Sequence, residues 1–173
     1  MGVMPRPLLI NMPWRSGGNT PTPALPHRGG GRWSPGREAA AEAAAHVGNA
    51  YALAGLLRAV PYHASAGRCY IPADVATEAG LDPRDYTGLR ATPGVRRAVS
   101  RIAEIAGLHL TSARQLHAGV PRAALPALLP AVIADRALAR LRRAGWNPFD
   151  ARLAASDTLQ SWRLAAAVLR RRF

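Results

Sequence analysis

Residues 37–60 read REAAAEAAAHVGNAYALAGLLRAV, an alanine-rich stretch in which helix-favouring residues follow one another almost without interruption. Alanine, leucine and glutamate have high helix propensities, and Glu38 and Glu42 lie where the positive end of a helix dipole favours acids. Pro61 follows directly, and proline removes a backbone donor from a helix interior. The pattern therefore predicts a first main helix over residues 37–60 that Pro61 ends.

Three further main helices are predicted after this one, over residues 94–118, 121–143 and 157–172. Pro121 is suited to open the third helix, which would continue through Pro126 and Pro130. Between residues 61 and 93, the motifs LDPRD and ATPG predict a loop with one or two short turns. No stretch alternates apolar and polar residues as a strand would. The expected fold class is all-α, a partial helical bundle of about four main helices.

The first 36 residues differ in composition from the rest of the chain. They contain seven prolines, seven glycines and four arginines, but no acid. Such a segment buries too little apolar surface to offset the entropy lost on ordering. The predicted organisation is a disordered and dispensable segment over residues 1–36, followed by one helical domain over residues 37–173. The motif PTPALPHRGGG resembles a translated bacterial intergenic repeat, which favours a bacterial source and leaves the genuine start of the chain open.

The charge of the chain is strongly positive. All 23 basic residues are arginines, and ten acids leave a formal net charge of +13. Neither an arginine–aromatic stacking platform nor a recognisable nucleic-acid module accompanies the charge, so no nucleic-acid partner is expected. The single cysteine, Cys69, cannot form an intramolecular disulfide, which favours a reduced compartment. No segment approaches about 18 uninterrupted apolar residues, so no transmembrane helix is predicted. The expected location is cytoplasmic, with peripheral membrane contact as an alternative.

The sequence NAYALAGLLRAVPYHASAGRCYIP, over residues 49–72, resembles the second signature of the squalene/phytoene synthase family. That signature reads approximately A-x-Q-x-x-N-I-L-R-D-V-x-E-D-x-x-x-G-R-x-Y-L-P. The downstream sequence VPRAALPALLPAVIADRALARLRRAGWNPFD, over residues 120–150, also resembles the family's C-terminal segment. The resemblance covers residues 37–173, or the C-terminal half of the family domain. It implies an isoprenoid-synthase-like helical fold that is truncated at its N-terminus.

The resemblance also defines where the family's metal-binding acids would fall. The family condenses two prenyl diphosphates, and Mg²⁺ held between two acid-rich motifs neutralises the departing pyrophosphate. In this chain the three acids of the second motif are replaced by Ala59, Tyr62 and His63, and the D-x-x-x-D motif has no counterpart. We therefore expect no catalytic residue, no metal site and no cofactor, and Mg²⁺ only if the chain is a transferase after all.

The matching positions that remain are Arg58, Gly67, Arg68, Tyr70 and Pro72. Of these, Arg58, Arg68 and Tyr70 are the candidate residues of a relict diphosphate-binding site, as the resemblance implies. A purely structural interpretation stays open for each: Arg58 near the C-terminus of the first helix, Arg68 on the surface, and Tyr70 as a buried aromatic that holds the loop.

The histidines and Cys69 offer weaker candidates. His46 and His63 are 17 residues apart, and His109 and His117 are 8 apart, and neither spacing is typical of a zinc site. His63 and Cys69 are residue types that can act as a base and a nucleophile, but nothing in the sequence near Cys69 is placed to orient a base. Structural roles for these residues are favoured.

Three functions remain open from the sequence. The leading hypothesis is a non-catalytic scaffold or assembly-type protein, because the family includes acid-poor relatives that act as respiratory complex I assembly factors. The alternatives are a head-to-head prenyl diphosphate transferase of isoprenoid biosynthesis, and a gene remnant without function. The apolar stripe Val95, Val99, Ile102, Ala106 and Leu116, with the alanine face of the first helix, is expected to be partly exposed. Expected partners are therefore another protein, a second copy of the chain, or an anionic membrane surface.

Overall fold

The computed structural model describes residues 34–154, and the regular structure within this range is helical throughout. Five α-helices are present: α1 (Pro35–Ser65), α2 (Ala73–Ala79), α3 (Pro83–Thr87), α4 (Pro93–Gln115) and α5 (Pro130–Arg143). Short 3-10 helices lie at His117–Gly119, Arg122–Leu128 and Ala151–Leu153. The all-α fold class is confirmed. Within residues 34–154, no helix combines the length and the apolarity that a bilayer crossing requires.

Helices α1 and α4 form the centre of the fold. Apolar residues recur every three or four positions along each helix, which places them on one face. On α1 the buried residues are Ala43, Val47, Ala50, Ala54, Leu57, Val60 and Ala64. The N-terminal half of α1 clusters with Leu110 and Ala113 of α4, and its C-terminal half clusters with Val95 and Val99. The two helices are therefore antiparallel, and their many alanines allow the backbones to approach closely.

Helix α5 covers the side of this pair. Its first turns contribute Ala131 and Ala134 to the cluster around Val47, and Leu141 near its end joins the cluster around Val60. Helix α5 therefore runs in the same direction as α1. The short helices α2 and α3 pack where the C-terminal part of α1 meets the N-terminal part of α4, and Val75 and Tyr86 are buried there. Gly80 ends α2 in a left-handed conformation with a φ of 63°, which glycine adopts without steric cost.

The predicted end of the first helix is wrong. Helix α1 begins at Pro35, continues through Pro61 and ends at Ser65. Val60 and Ala64, on either side of Pro61, are each only 1% exposed and pack in the core. Burial of these two side chains stabilises the extra turn, and this outweighs the backbone hydrogen bond that proline cannot donate.

The third predicted helix is correct only in its second part. Residues Arg122–Leu128 form a 3-10 helix, and the α-helix begins at Pro130. Pro126 lies inside the 3-10 segment and accepts a hydrogen bond from the backbone N–H of Leu129 at 3.3 Å. Two prolines four residues apart prevent continuous α-helical bonding here. The fourth predicted helix, over residues 157–172, and residues 1–33 of the predicted disordered segment lie outside the described residues.

The predicted exposure of the α4 stripe is also wrong. Val95, Val99 and Ala106 are fully buried, and Ile102 is 2% exposed. Leu116, just after α4, is half-buried and packs against the core. The alanine face of α1 covers this stripe, because small side chains on both helices let a few elements enclose it.

Candidate functional site

The turn that follows α1 contains the sequence pattern that suggested a function. Gly67 adopts a left-handed conformation with a φ of 68°. The backbone N–H of Gly67 donates to the carbonyl of Ala64 at 3.0 Å, and that of Arg68 donates to the carbonyl of His63 at 2.8 Å. Ile71 is 7% exposed and anchors the turn to the core. Gly67 and Ile71 of the pattern therefore have structural roles: Gly67 is the left-handed residue after the C-cap Ala66, and Ile71 is a core anchor.

The three positions where the resemblance places acids contain no charge that could bind a metal. Ala59 is half-buried on α1, and Tyr62 is 72% exposed. The ring of His63 contacts the rings of Tyr62 and Tyr70, with centroid distances of 5.5 and 4.6 Å. The Nδ1 atom of His63 is buried and has no hydrogen-bond partner. Aromatic packing has replaced acids here, and no group of three or more acids, histidines or cysteines within residues 34–154 could hold a metal ion.

The three candidate diphosphate-binding residues occupy different environments. Arg58 is exposed on α1 at the wall of a cavity, whereas Arg68 is exposed on the turn. Tyr70 is 53% exposed, so the alternative in which it is a buried aromatic is wrong. Its ring packs edge-on against His63. Among the described residues, no hydrogen bond or ring contact joins Arg58 to Arg68 or Tyr70, and only Arg58 lines the cavity.

That cavity lies between α1, α5 and residues 148–154, and we refer to it as the α1–α5 cleft. Its volume is about 470 Å³. Most of its described lining is apolar, and the charged residues in that lining are Arg58, Arg136, Arg140 and Asp150. The lining residues are Ala54, Leu57, Arg58, Pro61, Tyr62, Val132, Ile133, Arg136, Ala137, Leu138, Arg140, Leu141, Pro148, Phe149, Asp150, Ala151, Leu153 and Ala154.

Arginine contacts fix one wall of the cleft. The Arg140 guanidinium donates to the carbonyl oxygens of Arg152 and Leu153 at 2.7 and 3.3 Å. Asp150 accepts from the Arg152 backbone N–H at 2.9 Å and pairs with its guanidinium at 2.6 Å. Hydrogen bonds from the Arg152 side chain and backbone lower the pKa of Asp150 to about 2. Asp150, the one carboxylate among the described residues of the cleft, is thus ionised at neutral pH and already neutralised by a neighbour.

Sequence inspection missed the cleft, and it also missed two side-chain pairs. The cleft combines α1 with residues that lie about 80 positions later, so no local motif marks it. His46 contacts His109, with the two Nδ1 atoms 2.9 Å apart, although neither predicted histidine spacing joins these two residues. Tyr86 is 1% exposed, and its burial together with the neighbouring Cys69 raises its pKa to about 12. Cys69 is an exposed free thiol that interacts with Tyr86.

Comparison with known proteins agrees with the pattern at the end of α1. The family model of squalene/phytoene synthase matches residues 23–166, a match that begins before the predicted domain start at residue 37. The curated relatives are named NADH dehydrogenase (ubiquinone) complex I, assembly factor 6. The protein of Rattus norvegicus is 36% identical over 128 residues, covering 70% of this chain and 38% of its own length.

Relatives from other animals give similar values. The protein of Homo sapiens is 34% identical over 128 residues, with the same coverage of 70% and 38%. The homolog of Drosophila melanogaster is 34% identical over 132 residues, covering 76% of this chain and 40% of its own length. The chain thus spans less than half the length of these relatives, and no solved structure gives a significant match. The length of the family match and the identity to these relatives show that the chain belongs to the squalene/phytoene synthase family.

Proposed function

We propose that this protein is a non-catalytic member of its family that acts as a scaffold or assembly-type protein, and that its target is a respiratory NADH dehydrogenase. The similarity to proteins named complex I assembly factor 6 carries this proposal. The replacement of all three expected acids by Ala59, Tyr62 and His63 supports it. Without opposed carboxylates, nothing on this part of the chain would hold the Mg²⁺ that neutralises a departing pyrophosphate.

The physical basis of such a role is surface recognition rather than chemistry. A protein that assists assembly must present a stable surface that a partner binds and later releases. The alanine-packed α1–α4 pair supplies a stable core, and the α1–α5 cleft with exposed Tyr62 supplies a surface of the composition that partners recognise. No reaction step is required of any side chain.

The proposal is tested by deleting the gene in the source organism and measuring assembled NADH dehydrogenase on native gels together with NADH:ubiquinone activity. We expect both to fall, and the full chain supplied in trans should restore them. The tagged full chain should also co-purify with subunits of that enzyme. Unchanged assembly after deletion, with no co-purification, would refute the assembly role and favour the alternative of a gene remnant.

A second candidate function, head-to-head prenyl diphosphate transfer, is favoured only by the α1–α5 cleft. Its apolar walls and Arg58 could bind a prenyl chain and an anionic head, whereas Arg68 and Tyr70, outside the cleft lining, would be relict diphosphate contacts. The test incubates the full chain with farnesyl or geranylgeranyl diphosphate and Mg²⁺. We expect no pyrophosphate release above a metal-free control, and release above it would establish the transferase.

We further propose a cytoplasmic location with peripheral contact to an anionic membrane. Exposed Arg142 and Arg143 at the end of α5 support this, because anionic lipid headgroups attract basic side chains. Co-sedimentation with phosphatidylserine-containing vesicles, but not with phosphatidylcholine vesicles alone, is the expected result. Sedimentation with neither vesicle type would contradict membrane contact, and equal sedimentation with both would contradict the preference for anionic lipid.

A further inference from the structure

The α1–α5 cleft is large enough to receive apolar side chains from another molecule. Its volume of about 470 Å³ lies within the range of about 300 to 1,000 Å³ that is typical of ligand clefts. Leu57, Val132, Ile133 and Phe149 contribute apolar surface to its walls. An occupant that fills the cleft therefore needs an apolar face.

The charge of the cleft indicates which charged groups its occupant should carry. Among the described residues, three arginines, Arg58, Arg136 and Arg140, line it, against one acid, Asp150. Arg136 and Arg140 also have contacts within the chain. Asp150 forms a 2.6 Å ion pair with Arg152, which is outside the lining. Opposite charges across an interface favour the correct partner and speed its association, whereas like charges disfavour it. The cleft therefore favours an occupant that carries carboxylates beside its apolar face.

The surface of α1 extends the cleft into a longer binding face. Tyr51, Gly55, Arg58 and Tyr62 follow one another at spacings of four, three and four residues, which puts them on one side of the helix. Tyr51 and Tyr62 are 44% and 72% exposed, and a Cβ added at Gly55 would meet nothing within 4 Å. Tyrosine and arginine are among the residues that most often dominate binding energy in interfaces. The face is about 16 Å long, or three helical turns, which matches an extended partner better than a small molecule.

From this combination we propose that an amphipathic helix of a partner protein, apolar on one face and acidic along its flanks, docks along α1 and inserts apolar side chains into the α1–α5 cleft. This inference rests on the proposed assembly role and specifies the chemistry of the partner. Arg58, at the junction of the α1 face and the cleft, donates the main hydrogen bonds to a carboxylate of the partner helix.

Charge also argues against two other occupants. A second copy of this chain carries a formal net charge of +13, so it would bring positive charge to a positive cleft. Residues 155–173 of the chain itself contain four arginines and one acid, so their sequence has the wrong sign as well. An acidic partner helix is the occupant that the charges favour.

The experiment uses the full chain and three fluorescein-labelled helical peptides of about 18 residues, or five turns. All three have the same leucine face, and their flanks carry glutamate, glutamine or lysine. Fluorescence anisotropy should show the glutamate peptide binding at least about tenfold more tightly than the glutamine peptide. The lysine peptide should bind most weakly, and added salt should weaken binding of the glutamate peptide.

Three variants locate the binding site. Arg58→Glu should weaken the glutamate peptide by about tenfold or more, and Ala137→Phe, which fills the cleft without changing the charge, should weaken all three peptides. Arg90→Glu is the matched control, because Arg90 is exposed and lies outside the cleft. Tyr62→Ala, at a largely exposed position, leaves the charge unchanged and should weaken binding of all three peptides. Thermal unfolding of each variant establishes that it is folded.

Several outcomes would overturn the inference. Equal binding of the three peptides, or binding that Arg58→Glu leaves unchanged, would refute it. Binding of oleate in place of the glutamate peptide would identify a lipid site, and Arg58-dependent binding of a peptide copying residues 155–173 would identify the chain's own segment. If Arg58→Glu and Ala137→Phe proteins still co-purify with NADH dehydrogenase subunits, the cleft inference fails while the assembly role stands. Failure of the wild-type chain to co-purify would instead refute the assembly role itself.

Discussion

His46 of α1 and His109 of α4 face each other across the central helix pair, with their Nδ1 atoms 2.9 Å apart and their ring centroids 5.2 Å apart. A neutral imidazole has one donor and one acceptor nitrogen, so one ring must donate from Nδ1 while the other accepts there. This hydrogen bond is partly buried and joins residues 63 positions apart. It therefore fixes the register of the two longest helices at one point along their apolar seam.

The histidine pair predicts a strong coupling between two substitutions. His46→Leu or His109→Leu alone should lower the free energy of unfolding by about 1 to 2 kcal/mol, because each leaves one partly buried nitrogen without a partner. The double variant should be less destabilised than the sum of the two, since two leucines pack together. Urea denaturation of all four proteins gives the coupling energy. Gln115→Leu, at an exposed position of α4, is the control, and additive losses would refute the coupling.

A helix of this fold was predictable where its apolar residues recur at helical spacing within one continuous stretch of sequence. The spacing predicted α4 over residues 94–118, and the helix spans Pro93–Gln115. The end of α1 was not predictable in the same way, because Pro61 is a local stop signal whose effect is cancelled by packing of Val60 and Ala64. Similarly, the exposure expected for Val95 and Val99 ignored the alanine face of α1 that covers them.

The candidate site was less predictable than the fold. The sequence predicts Arg58 as a candidate and shows that the acids are absent, because both positions fall within one continuous pattern around the end of α1. The α1–α5 cleft and the pair of His46 with His109 depend on contacts between distant helices. Neither has a sequence signal of its own, because the residues involved have unremarkable local neighbours.

Two glycines of α4 are expected to respond oppositely to alanine. A Cβ at Gly94 would collide with the carbonyl oxygen of Gly80 and lie 3.2 Å from the Cα of Leu81, whereas one at Gly107 would meet nothing within 4 Å. Gly94→Ala should therefore lower the free energy of unfolding by about 1 to 3 kcal/mol, since rigid backbone must move. Gly107→Ala should raise it by about 0.5 to 1 kcal/mol through helix propensity. Chemical denaturation measures both, and equal effects would show that the α2–α4 contact is not close.

Tyr86 predicts a loss of stability at alkaline pH. Its pKa is raised from 10.0 to about 12 by burial and by the adjacent Cys69. The unfolded chain ionises this tyrosine near pH 10, while the folded chain keeps it neutral until about pH 12. The neutral Tyr86 hydroxyl therefore makes its full contribution to the free energy of unfolding below pH 10. Between pH 10 and 12 that free energy falls by roughly 2 to 3 kcal/mol.

Replacement by phenylalanine isolates this effect. Tyr86→Phe should lose about 0.5 to 1.5 kcal/mol at neutral pH through the missing hydrogen bond, yet its stability should fall less steeply than that of the wild type above pH 10. Thermal unfolding followed by circular dichroism between pH 7 and about pH 11 measures the difference. Tyr51→Phe, at a 44% exposed position, should keep the wild-type profile. Parallel profiles for Tyr86→Phe and the wild type would contradict the assignment.

Pro61 lies inside α1, where it leaves the carbonyl of Leu57 without the backbone donor that an α-helix normally provides. Pro61→Ala restores that donor and should raise the free energy of unfolding by about 1 to 2 kcal/mol, less than the full cost of an interior proline because the surrounding core already accommodates the ring. Pro148→Ala is the matched control: Pro148 is almost fully buried outside any helix, so losing its ring should destabilise the chain. Both prolines line the α1–α5 cleft, so the glutamate peptide should be measured on each variant as well. A drop in stability for Pro61→Ala would mean that the proline itself supports the packing of Val60 and Ala64.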